Sequence, residues 1–104
     1  MELINKTEKL NQLYFVYGPI LTKKQQSYFE LYYYENYSLQ EIADYLKVSK
    51  NAVYDQLNSV EKKLLNYEKK LKIAANLKKR RQLLEKYFKD KDEKYLNELR
   101  KMDE

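Results

Sequence analysis

The chain predicts an all-α fold, a helix-turn-helix core with a long helical C-terminal extension. Three observations carry this. The 104 residues hold one Gly and one Pro but abundant Lys, Glu and Leu, which leaves few tight β-turns and favours helix. Apolar residues recur at steps of three and four through most of the chain. Two Ser/Thr residues, Thr22 and Ser38, stand three positions before Gln25 and Glu41, the pattern of a helix start closed by its own side chains.

In order along the chain, the first helix is predicted over Lys6 to Tyr17, with Leu10, Leu13, Tyr14 and Tyr17 as its apolar stripe. Gly18-Pro19 ends it. A second helix starts at Lys23 behind the Thr22 cap, runs to about Tyr34, and buries Leu21, Tyr28, Phe29 and either Tyr32 or Tyr33. Ser38 opens a short third helix through Leu46, and Ser49 caps a fourth. From there Val53, Leu57, Val60, Leu64, Tyr67, Leu71 and Ala74 form a heptad seam, so the fourth helix is either very long or broken near Ala74-Ala75-Asn76. Asp90 to Glu93 fits a turn and cap before a last helix that contains Tyr95, Leu96 and Leu99. One domain is expected over residues 1–104, with a core at 21–64 and a basic extension at 65–104.

Composition removes several classes of function. With no Cys there is no disulfide, thiol nucleophile or cysteine zinc site, and with no His the usual general base is missing. A single Gly excludes a glycine-rich phosphate loop. Asp90, Asp92 and Glu93 lack the glycine and further oxygen ligands of a calcium loop. No catalytic site, metal or cofactor is therefore expected. The first residues place charge where a signal peptide needs an apolar run, and no stretch approaches the roughly 18 apolar residues of a membrane span, so a cytoplasmic protein is expected.

The net charge of +5 is unevenly spread. Residues 1–45 carry four Lys against six acids, whereas residues 69–89 carry nine Lys or Arg against Glu85 alone. Lys69, Lys70, Lys72, Lys78, Lys79, Arg80 and Arg81 are accordingly the candidate contact for an acidic protein surface or phosphate, against the plainer reading of a solvated helix face.

Residues 38–64 are the informative stretch. Two short helices crossing steeply need a small residue at the crossing, apolar inner faces and a tight turn. Ala43 supplies the first, Ile42, Leu46, Val48, Val53 and Leu57 the second, and Leu46-Lys47-Val48-Ser49 the third. A plain helical hairpin is the alternative. If the fourth helix enters a major groove, Lys50, Asn51, Tyr54, Asp55 and Asn58 face the DNA, Asn51 able to pair with adenine and Lys50 and Tyr54 to hold phosphates. Against this, residues 48–61 hold one Lys beside Asp55 and Glu61, where a DNA-reading helix normally carries net positive charge.

Leu21 to Leu64 resembles the region-four helix-turn-helix of bacterial sigma factors. Residues 13–72, through YYYENYSLQEIA, VSKNAVYD and YEKKL, more closely resemble the YlxM family of small bacterial helix-turn-helix proteins. That resemblance implies a regulator of the signal recognition particle pathway, with the particle's GTPase or its RNA as partner. The C-terminal third is more basic and tyrosine-rich than the family pattern.

Two readings follow, a regulatory adaptor for a protein or ribonucleoprotein and a DNA-binding regulator. The twelve tyrosines fall mostly at core spacing, which favours packing over base stacking. The heptad seam, longer than a small domain covers, favours a homodimer over a fold-back of the first and last helices.

Overall fold

A computed structural model describes residues 2–103, with side chains from Asn5 onward. The described residues form helices and no strand: α1 (Glu2–Tyr17), α2 (Lys23–Phe29), α3 (Leu39–Leu46), α4 (Lys50–Leu71), α5 (Ile73–Asp90) and α6 (Glu93–Met102). Gly18–Ile20 is a short 3₁₀ turn, and Glu30–Tyr34 continues α2 as a π turn. The all-α expectation holds. The chain divides into two compact units, one ending at Leu71 and the other beginning at Lys72.

In the first unit, α1, α2 and α3 all pack on α4. The reason is the apolar pattern. Leu10, Leu13, Tyr14 and Tyr17 of α1, Tyr28 and Phe29 of α2, Ile42 and Ala43 of α3, and Val53, Leu57, Val60 and Leu64 of α4 are all buried, as is Leu21. Each of the Leu, Ile, Val and Phe side chains among them stabilises the fold by about 1.5–3 kcal/mol when fully removed from water. The seam on α4 is thus filled from within its own chain through Leu64. Further along, Tyr67 is half-buried and Leu71 is 51% exposed.

Local chemistry sets the helix starts. The Thr22 and Ser38 hydroxyls accept from the Gln25 and Glu41 backbone N–H groups, and both side chains reach back to the cap N–H. Ser49 accepts from the Ala52 N–H at 3.0 Å, and Asp92 from the Lys94 N–H at 3.0 Å. The third helix ends at Lys47, which takes a left-handed conformation (φ 59°) and lets the Val48 N–H reach the Ala43 carbonyl at 3.0 Å. This closure turns Val48 outward. It is 38% exposed, so Val48 is not part of the inner face expected of it.

The π turn is the main local departure from expectation. In an α-helix Tyr34 would sit roughly 140° around from Phe29. The wider turn, closed by the Glu35 N–H on the Glu30 carbonyl, sets Tyr33 and Tyr34 both against Phe29, at 4.5 and 6.0 Å between ring centroids. Tyr14 stacks on the same ring at 4.2 Å. Tyr33 is half-buried and Tyr32 exposed, which decides between the two tyrosines.

The heptad-bearing helix is broken, and the break falls at Lys72, left-handed with φ 54°, just before Ala74-Ala75-Asn76. In the second unit α5 packs on α6 around Leu83, the one buried apolar side chain described there. Arg80 pairs with Asp103, and the Tyr95 hydroxyl is 3.4 Å from Asp90.

Candidate functional site

α3, the Lys47 turn and the start of α4 assemble as a helix-turn-helix. Ile42, Ala43, Val53, Leu57 and Tyr28 form one buried cluster, with Leu31, Tyr37, Leu39 and Leu46 packed around it. Ala43 at the crossing lets α3 and α4 approach, and Ile42 on the inner face anchors the pair. The Ser49 cap leaves the outer side of the first turns of α4 open to solvent.

Lys50, Asn51 and Tyr54 are exposed on that outer side, Tyr54 at 55%, and Asn58 is half-buried one turn on. These four candidates therefore lie along one side of α4. Their charge is thin: Lys50 is followed only by Asp55 and Glu61 over the next three turns.

A cleft of about 590 Å³ opens next to Tyr54 and Asn58. Its walls come from α1, the π turn, α3 and α4, and Tyr32, Tyr33, Tyr37, Glu41 and Glu61 line it. Glu61 lies between two partners. The Tyr33 hydroxyl donates to Oε1, and the Lys6 ammonium is 3.7 Å from Oε2. Burial, then the hydrogen bond and charge of Glu61, push the Tyr33 hydroxyl well above its ordinary pKa, so it stays a neutral donor. The sequence points to no such cleft, because its lining residues are scattered from Lys6 to Glu61.

The seven basic candidates do not form one face. Lys69 and Lys70 close α4, Lys72 is the left-handed residue after it, and the other four belong to α5. Four consecutive helical residues fan over roughly 300°. Arg80 is accordingly turned to Asp103 of α6, while Lys78, Lys79 and Arg81 are exposed. α5 also exposes Ile73, Leu77, Leu84 and Phe88, which share one side at steps of four, seven and four.

Comparison with known proteins agrees with this architecture. Residues 4–104 match the family model of YlxM/p13-like helix-turn-helix proteins, UPF0122. The chain belongs to this family. A UPF0122 protein of Lactococcus lactis subsp. cremoris (strain MG1363) is 46% identical over 86 residues, covering 83% of this chain and 78% of the relative. One from Geobacillus sp. (strain WCH70) is 44% identical over 97 residues, covering 86% and 88%. A third, from Lacticaseibacillus casei (strain BL23), is 49% identical over 73 residues, covering 70% and 65%. The UPF0122 assignment fits the helix-turn-helix built by residues 38–64 and extends it to a chain in which no described helix is long and apolar enough to cross a membrane.

Proposed function

We propose that this UPF0122 protein is a non-enzymatic, cytoplasmic regulatory adaptor that binds a protein or ribonucleoprotein partner through its basic second unit. The observation that supports this is where the charge lies. Residues 72–104 hold eleven Lys or Arg against seven acids, while the exposed start of α4 has Lys50 alone. Cations on α5 and its flanks attract an acidic surface or a phosphate backbone at long range. The resemblance to YlxM proteins names the partner as the signal recognition particle GTPase or its RNA. A homodimer accompanies this reading, supported by the exposed Leu77, Leu84 and Phe88 on α5.

Binding of the full chain to immobilised GTPase, particle RNA and random duplex DNA, measured across a salt series, tests the proposal. Reversal of charge at Lys78, Lys79 and Arg81 is expected to abolish binding to the GTPase or RNA. Binding to neither rejects the adaptor. A strictly monomeric chain in sedimentation at micromolar concentration rejects the dimer.

The second reading is a DNA-binding regulator, favoured by the exposure of Lys50, Asn51 and Tyr54 on a capped helix of helix-turn-helix geometry. On that reading duplex binding falls steeply with salt and is lost with Asn51→Ala.

A further inference from the structure

The tyrosine-lined cleft takes no part in the adaptor proposed above, which uses the second unit. We propose that it binds a cationic side chain of a partner protein, arginine in preference to lysine. Three features of the cleft converge on this ligand. The cleft is lined by four tyrosines, Tyr32, Tyr33, Tyr37 and Tyr54, a ring type that attracts cations and on which a planar guanidinium can stack.

Its carboxylates, Glu41 and Glu61, set the sign of the charge it accepts. An anion would meet both at close range. A neutral base could stack but would gain no charge attraction from Glu41 or from Glu61, whose side chain is 15% exposed.

The cleft also already holds a cation of its own. Lys6 extends from α1 and sets its ammonium 3.7 Å from Glu61 Oε2. That contact is loose, because the Lys6 side chain is 61% exposed, so it is weak and exchangeable. A guanidinium can instead form a close, charge-assisted hydrogen bond to the carboxylate while stacking on a tyrosine. The Tyr33 hydroxyl, held neutral, keeps Oε1 occupied and Glu61 in place. A partner's arginine therefore replaces Lys6 without a rearrangement of the cleft. Since Tyr54 and Asn58 line the same cleft, a segment seated there also covers the outer side of α4.

The test is an NMR titration of the full chain with N-acetylargininamide, its neutral isostere N-acetylcitrullinamide, and adenosine, followed on the tyrosine ring signals. Only the arginine derivative is expected to bind. Glu61→Gln keeps an acceptor for the Tyr33 hydroxyl but removes the charge, and should weaken binding by at least about tenfold. Lys6→Gln removes the internal competitor and should strengthen binding by about threefold. Lys6 is exposed near the start of α1, so this gain remains readable if Glu61→Gln disturbs the fold. Equal binding of the citrulline derivative, preference for adenosine, no binding of any probe, or no change with Lys6→Gln would each overturn the proposal.

Discussion

Gly18 is the only glycine, and its backbone is not left-handed. What it provides is room. A Cβ at this position would meet three ring carbons of Tyr14 at 3.2, 3.3 and 3.4 Å. That ring is held on two sides, since it stacks on Phe29 and receives the edge of Tyr34 at 5.6 Å. Gly18→Ala is expected to destabilise the first unit by about 1–2 kcal/mol, seen as a lower urea midpoint. An unchanged midpoint would mean that the ring yields freely. The same packing governs ionisation. Burial first, then the charge of Glu30, the neighbouring Tyr34 and a hydrogen bond to Glu30, pushes the Tyr14 hydroxyl up to about 12, and Tyr33 and Tyr34 are also raised. Below pH 10 these hydroxyls are protonated in both folded and unfolded chains. As pH rises from the unfolded value of 10.0 toward 12, the unfolded chain loses protons that the folded chain keeps, so stability falls. Urea midpoints measured across this window should decline for the native protein and less steeply for Tyr33→Phe; parallel slopes would exclude Tyr33 as a contributor.

The helix ends show which elements can be read from a sequence. Thr22, Ser38, Ser49 and Asp92 act within three residues of themselves, and every one caps the helix that its spacing predicts. Ser38→Ala should therefore lose about 1 kcal/mol. The stops are less legible. Lys47, Lys72 and Lys91 take left-handed conformations, with φ of 59°, 54° and 58°, where a sequence reader looks for glycine. Nothing in the side chain of Lys72 marks a stop, and so the sequence leaves the helix either very long or broken near Ala74-Ala75-Asn76. A left-handed lysine carries a cost of about 1 kcal/mol that glycine avoids, and the larger backbone entropy that glycine loses on folding offsets part of this gain. Lys47→Gly should thus raise stability by about 0.5 kcal/mol in a thermal melt. A loss there would mean that the aliphatic stem of Lys47 does more than its backbone. The π turn is illegible for another reason. It arises from two tyrosines competing for Phe29, a tertiary demand that overrides the local period.

At the scale of the whole molecule, the heptad seam from Val53 to Leu64 is plain in the sequence, but periodicity does not say which surface fills it. In the structure α1, α2 and α3 fill it. The cleft was hidden on the same principle, because its walls come from separate elements that only the packed fold brings together. The distribution of the core leads to a further prediction. All buried apolar side chains described except Leu83 lie between Leu10 and Leu64, inside the first unit. That unit has its own core, its own caps and the bond from the Tyr17 hydroxyl to Glu68 at 2.6 Å. The second unit has two helices meeting over one buried leucine, and chains below roughly 40 residues seldom fold without a crosslink, metal or partner. A fragment of residues 1–71 should therefore melt cooperatively by circular dichroism, whereas residues 72–104 alone should lose helix gradually. A sharp, concentration-dependent transition in the second fragment would show instead that α5 and α6 find the apolar contacts they need in another copy of themselves, through Leu77, Leu84 and Phe88.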